Sequence, residues 1–129
     1  MRNQNSYLLY LGDTGADKVE KSNQLALLWK AVADKVAANS LKAIFIEVSF
    51  DNTMPDKALY GHLTPRLLMQ EMKVLNKLSN GQLQKLPIYI THIKPCATCE
   101  ISIKKDIALS NTEGLNIKYV EQGKRIDLY

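Results

Sequence analysis

The sequence has 129 residues, the size of one domain built around a single hydrophobic core. Hydrophobic residues make up 46% and charged residues 23%, which is typical of a folded globular domain and excludes a disordered chain. The net charge of +4 comes from scattered lysines without a basic run, so binding to a nucleic acid polymer is not favoured.

No apolar stretch approaches the roughly 20 residues of a membrane span, so no membrane partner is expected. The apolar run at residues 7–11 is also shorter than the apolar region of a signal peptide, which takes about 7–15 residues. The sequence therefore leaves the compartment open between the cytoplasm and, for a parent protein with a signal, the periplasm.

Strand and helix patterns alternate in the first part of the chain. The continuous apolar run at residues 7–11 predicts a buried strand. Apolar side chains at helical spacing over residues 23–38 predict an amphipathic helix with Ser22 as its cap. Residues 42–50 are rich in β-branched side chains and predict a second strand.

The alternation continues with a helix whose ends are marked by their usual residues. Thr64 is the expected cap, Pro65 stands at the first helical position, and Gly81 lies just beyond the end. An apolar stripe at helical spacing runs between them. Residues 86–93 then predict the third strand.

The last part of the chain completes an α/β pattern. Residues 99–111 predict a shorter helix closed by Gly114, and residues 116–121 and 124–129 predict a final pair of strands. Strands that alternate with helices predict a mostly parallel sheet, because right-handed crossovers connect such strands. We therefore expect residues 1–129 to form one α/β domain.

Polar side chains follow each of the first three predicted strands. Asp13 follows the first strand, Glu47 and Ser49 close the second with His62 in the loop after it, and His92 ends the third. We expect these residues at one edge of the sheet, because the carboxyl ends of parallel strands meet there. Taken singly, each has a structural interpretation as a turn, loop or strand-end residue, and the spacing contains no three-ligand metal motif.

Cys96 and Cys99 form a single C-x-x-C pair. A zinc site needs two further ligands at matching spacing, and the sequence has none. A redox pair would open a helix in a thioredoxin-like unit, which this segment loosely allows. A module whose function depends on these thiols is therefore the least favoured interpretation. Buried or incidental thiols are favoured over it.

Five segments point to a known family: YLGDTGAD, AIFIEVSFDN, GHLTP, ITHIKP and YVEQGKRIDL, in this order. Together they resemble the carboxyl-terminal half of the class II cyclic-nucleotide phosphodiesterases, which belong to the metallo-β-lactamase fold. The resemblance covers nearly the whole chain. It implies half of a four-layered αββα sandwich, with one mixed, mostly parallel sheet and helices on one face.

The resemblance also implies roles for individual residues. Asp13 matches the aspartate of the family's G-D-T-G motif, which bridges two divalent metal ions, with zinc expected. His92 matches the ligand of the second ion. Glu47 and His62 are similar to an acid and a histidine near the scissile phosphate in the related tRNA-processing branch, so they are the candidates for a supporting acid and a proton donor.

The implied reaction is the hydrolysis of 3′,5′-cyclic AMP to 5′-AMP. Thr64 and the start of the helix behind His62 are expected to favour the anionic phosphate, because helix amino termini attract anions. Lys94 is a second expected contact to the substrate. The cyclic nucleotide is thus the expected small-molecule partner.

This chain departs from the family in lacking the H-x-H-x-D-H signature of the amino-terminal half. Two ligands seldom hold a hydrolytic metal tightly, so we expect little or no phosphodiesterase activity from this chain alone. The sheet face lined by Leu8, Ile44 and Ile88 or their alternates should be bare, and a homodimer or a complementary amino-terminal half should cover it. The alternative is a non-catalytic binding or assembly module derived from the same fold.

Overall fold

The computed structural model describes residues 7–12, 14–59, 61–91, 93 and 98–120. Strands and helices alternate through these residues, as the sequence pattern predicts. The strands are β1 Tyr7–Tyr10, β2 Leu41–Glu47, β3 Pro87–Thr91 and β4 Asn116–Tyr119. The helices are α1 Asp17–Glu20, α2 Gln24–Ala37, α3 Pro65–Leu78 and α4 Cys99–Ser110, with short 3-10 turns at Asp56–Ala58 and Gln82–Lys85.

The strands form one sheet in the order β1-β2-β3-β4, and each described pairing is parallel. Crossovers of one hand between successive neighbours place the connecting helices on one face. The α/β fold with helices on one face is therefore confirmed. The last predicted strand, residues 124–129, lies outside the described residues. Among the helices that the structure describes, none is both long and apolar enough to cross a membrane.

One face of the sheet packs against the helices and forms the core. The central row of this face runs across all four strands through Leu9, Ile44, Ile88 and Ile117. Ile44 and Ile88 are fully buried, and the helices contribute Trp29, Leu68 and Met72 to the same cluster. Among the described residues, the helices thus cover the sheet on this side.

The other face of the sheet, the open face, is aromatic and has none of the described helices against it, although Tyr89 on this face is only 8% exposed. Its central row is Tyr10, Phe45, Tyr89 and Lys118. The Tyr10 and Phe45 rings lie 6.0 Å apart and the Phe45 and Tyr89 rings stack at 4.9 Å.

The expected lining of the bare face was Leu8, Ile44 and Ile88 or their alternates, and the structure distinguishes between these. Leu8 does lie on the open face, paired with Ala43 and 59% exposed, but Ile44 and Ile88 point into the core. Side chains alternate between faces along a strand, so Ile44 and its neighbour Phe45 cannot share one.

The helix ends agree with the sequence except at the start of α2 and at the end of α4, where Asn111, and not Gly114, is the carboxyl-terminal cap. Thr64 caps α3 by accepting the Leu67 N–H at 3.4 Å, and Gly81 lies beyond the end with φ +78°. Ser22 was the expected cap of α2, but the Asp17 carboxylate takes this role. It accepts the N–H groups of Leu25 and Ala26 at 2.9 and 2.8 Å, while the Ser22 hydroxyl donates to the same carboxylate.

Candidate functional site

The carboxyl edge of the sheet brings together Glu47, Ser49 and His62, as predicted from the strand ends. Thr64 stands next to this group but is fully buried as the cap of α3. The other predicted site residues, Asp13, His92 and Lys94, lie outside the described residues, as does Cys96 of the C-x-x-C pair.

Glu47 is the centre of the described site. It is the last residue of β2, and its side chain is 0% exposed. One carboxylate oxygen, Oε1, accepts the backbone N–H groups of Thr14 at 3.2 Å and Leu63 at 3.1 Å. The other oxygen, Oε2, accepts the Ser49 hydroxyl at 2.8 Å. A buried carboxylate needs such donors, because an unpaired buried charge is strongly unfavourable.

His62 completes the group from the loop before α3. Its Nδ1 lies 3.2 Å from Glu47 Oε1 and 3.3 Å from Ser49 Oγ. The Ser49 hydroxyl donates its hydrogen bond to Glu47. The two atoms that face Nδ1, Ser49 Oγ and Glu47 Oε1, are therefore both acceptors. The assigned tautomer therefore carries its proton on Nδ1. The side chain is 26% exposed, and the centroids of its ring and the Phe50 ring lie 5.8 Å apart in a T-shaped arrangement.

Burial raises the pKa of Glu47 above its ordinary value, and this is the largest influence on it. The Ser49 hydroxyl, the Thr14 N–H and the neighbouring His62 act in the opposite direction. Each of them stabilises the charged form, by a hydrogen bond or by opposite charge. The carboxylate thus depends on this network to remain an acceptor.

The Glu47 network connects the loop after β1 to the loop before α3. The Thr14 hydroxyl also donates to the Gly12 carbonyl at 2.7 Å, a contact within the G-D-T-G segment. Three residues on, the Asp17 N–H donates to the buried carboxylate of Glu71 at 3.1 Å. The segment is therefore held on its carboxyl side by two buried acids, Glu47 and Glu71.

The arrangement excludes a serine hydrolase triad for these side chains, and the described residues alone provide no metal site. In a serine hydrolase triad the acid and the serine contact opposite nitrogens of the histidine, whereas Glu47 and Ser49 both face Nδ1 of His62. Within the described residues, no group of three His, Cys, Asp or Glu side chains is placed to hold a metal ion. The described donors therefore do not fit a metal centre by themselves, and a hydrogen-bonded histidine that reaches the surface is what they provide.

A cleft of about 650 Å³ opens beside this group. It lies between the loop after β1, the amino-terminal end of α2 and the loop that carries His62. Its lining residues are Leu11, Thr14, Gly15, Asp17, Glu20, Ser22, Gln24, Leu25, Leu28 and Gly61.

Sequence reasoning assigned no role to two members of the network. Ser49 follows Glu47 by two residues, and this spacing places both side chains on the same side of an extended segment. That pattern was a usable signal. The Thr14 contact uses a backbone N–H, so no pattern of residue types reveals it.

The fold and the site together define an α/β domain whose polar residues gather at the carboxyl edge of a parallel sheet. The model of the family described as cAMP phosphodiesterases class-II matches residues 1–119. The chain is 43% identical over 119 residues to a 3′,5′-cyclic-nucleotide phosphodiesterase of Aliivibrio fischeri, covering 88% of this chain and 36% of that protein. It is 40% identical over 125 residues to a probable 3′,5′-cyclic-nucleotide phosphodiesterase of Yersinia pestis, covering 92% and 36%.

Among solved structures, the crystal structure of unliganded yeast PDE1 matches with a TM-score of 0.78 and 26% identity. That match covers 92% of this chain and 35% of the yeast chain. The chain therefore belongs to the class II cAMP phosphodiesterase family, which confirms the resemblance carried by the five segments. It spans about a third of the length of the relatives that it matches.

Proposed function

We propose that this chain is the carboxyl-terminal part of a metal-dependent phosphodiesterase that hydrolyses 3′,5′-cyclic AMP to 5′-AMP. The names of the relatives support the substrate class. The observation that carries the proposal is the bonding of Glu47, which joins the G-D-T-G segment to His62 of the GHLTP segment. Two family segments distant in sequence thus meet at one buried acid.

In this proposal His62 acts as the proton donor. Water attacks the phosphorus and releases a proton to the solvent, the bond from phosphorus to the 3′ oxygen breaks, and that oxygen takes the Nε2 proton of the imidazolium form of His62. Glu47 holds the ring by its Nδ1 and stabilises its cationic form, since the two groups lie 3.2 Å apart. The amino terminus of α3 starts three residues after His62 and favours the anionic substrate.

The proposal includes two divalent metal ions, with zinc expected and Asp13 and His92 as ligands by family resemblance. Such ions supply an activated water and charge stabilisation at the phosphate. Glu47 is not among the expected ligands, because both of its oxygens already accept hydrogen bonds. We expect the chain alone to bind little metal and to be inactive, since two ligands seldom hold such an ion.

We also propose that the open aromatic face is covered in the working protein. The relatives are about three times as long as the matched segment, so they contain further chain that is able to cover it. In the isolated chain we expect a second copy to take this place, because exposed apolar patches favour association.

The test measures bound metal and cyclic AMP hydrolysis for the chain alone and after mixing with a separately produced amino-terminal half that carries H-x-H-x-D-H. We expect activity only after mixing, and a loss of about 10²–10⁴-fold in His62→Ala, the usual contribution of positioned proton transfer. Lys30→Ala, on α2, is the control. Inactive, metal-free protein under both conditions would instead support an assembly module.

A further inference from the structure

We infer that Ser49 is a positioning residue, whose hydroxyl fixes the orientation of Glu47 and His62 relative to each other. The inference rests on the proposed role of His62 as proton donor. Ser49 touches neither the substrate nor the reacting atoms. It instead fixes the orientation of Glu47 and His62, the two side chains with proposed roles in the reaction.

The geometry around the Ser49 hydroxyl carries this inference. The hydroxyl donates to Glu47 Oε2 at 2.8 Å, and its oxygen lies 3.3 Å from His62 Nδ1. Because the hydroxyl hydrogen points at Glu47, the oxygen presents only lone pairs to the imidazole. It therefore accepts a hydrogen bond from the ring and does not donate one. The hydroxyl therefore fixes the direction of one hydrogen bond and the tautomer of the ring at once.

The backbone of Ser49 fixes the same loop. Its N–H donates to the Leu63 carbonyl at 3.2 Å, and the Leu63 N–H donates to Glu47. Ser49 is 3% exposed, so water does not readily replace a lost hydroxyl. Without the hydroxyl, Glu47 Oε2 loses its only donor among the described residues. The carboxylate is then free to turn away from the three groups that face Oε1, which are the N–H groups of Thr14 and Leu63 and the Nδ1 of His62.

The experiment records the ring nitrogen chemical shifts of His62 by NMR in the 129-residue chain, which distinguish the two neutral tautomers. The variants are Ser49→Ala, which removes the hydroxyl, and Ser49→Thr, which keeps it. Ser79→Ala is the matched control, because Ser79 is also buried and its hydroxyl donates to backbone carbonyls of α3 instead.

We expect wild type and Ser79→Ala to show the Nδ1-protonated tautomer, Ser49→Ala to populate the Nε2-protonated one, and Ser49→Thr to restore the first. Unchanged His62 shifts in a folded Ser49→Ala protein would overturn the inference. If Ser49→Thr is too large to fold, the comparison of Ser49→Ala with Ser79→Ala still decides. The readout needs no phosphodiesterase activity, so failure of the proposed function and failure of this inference are separate results.

Discussion

At Glu47, burial and hydrogen bonding act against each other. Burial raises the pKa of the carboxyl above 4.5, so the folded state binds its proton more tightly than the unfolded state does. The contribution of this proton to the free energy of unfolding is therefore fully present below about pH 4.5 and is lost as the pH rises through the folded-state pKa.

Glu47→Gln removes that titration. We expect the stability of wild type relative to Glu47→Gln to fall as the pH rises above about 4.5, measured by urea unfolding at successive pH values. Ser79→Ala, which changes no carboxyl group, controls for the remaining pH dependence. A difference that is flat or rises with pH would show that the charged form is the stabilised one.

Gly61, directly before His62, has a backbone conformation that disfavours other residues. Its φ is +82°, while a Cβ at this position would meet nothing within 4 Å. The cost of Gly61→Ala is therefore conformational and about 1–2 kcal/mol, the usual penalty for the left-handed region. Gly12→Ala is the control, since Gly12 also has open space but no left-handed φ. Equal unfolding free energies for the two variants would contradict this assignment.

Residue types at strand ends were enough to predict that Glu47 and His62 lie close together. They were not enough to show which atoms meet. The donors to Glu47 include two backbone N–H groups, from Thr14 and Leu63, and backbone donors leave no trace in composition. The detailed hydrogen bonding thus depends on loop conformation, which sequence patterns describe least well.

At the scale of elements, the cap of α2 comes from outside the helix. Both oxygens of Asp17 accept N–H groups in the first turn, whereas Asn23, at the cap position itself, makes no side-chain cap bond. We expect Asp17→Ala to lower the free energy of unfolding by about 1–2 kcal/mol, within the usual range for a lost cap. Asn23→Ala should change it by less than about 0.5 kcal/mol. Thermal or urea unfolding of both variants makes the comparison, and a larger loss in Asn23→Ala would reverse the assignment.

The two long helices show which element ends a sequence can predict. For α3, Thr64, Pro65 and Gly81 are adjacent to the ends they define, so local rules place them correctly. For α2, the limits were predicted within one residue, but the capping Asp17 is separated from the helix by a turn of chain. A cap residue that tertiary folding brings to a helix has no fixed distance from it in the sequence, so no local pattern predicts it.

At the scale of the whole molecule, the single helical face was implied by the family resemblance, whereas the parallel direction of the strands followed from the alternation of elements. The two sheet faces did not follow from it. β2 is apolar on both sides, so Ile44 and Phe45 look equivalent in the sequence although one lies in the core and the other on the open face. The irregular pairing of β1 with β2 between Tyr7 and Leu8 adds a shift that no residue pattern indicates.

The open face also determines how the isolated chain should behave in solution. Leu8 and Tyr10 are 59% and 63% exposed on the same side as the stacked Phe45 and Tyr89 rings. Exposed apolar and aromatic side chains that lie side by side favour association, whereas scattered ones do not. We therefore expect a dimer at micromolar concentration, with the two open faces in contact.

Tyr10→Lys places a charge on this face, in outer strand β1, and should convert the dimer to a monomer, because a lysine cannot be buried there without a partner. Leu27→Lys is the matched control, since Leu27 is 56% exposed but lies on α2, away from the sheet. Light scattering coupled to size-exclusion chromatography measures the mass of each variant. If the wild-type chain is monomeric at micromolar concentration, the proposed contact does not form. If Leu27→Lys dissociates as readily as Tyr10→Lys, the contact lies elsewhere than on the open face.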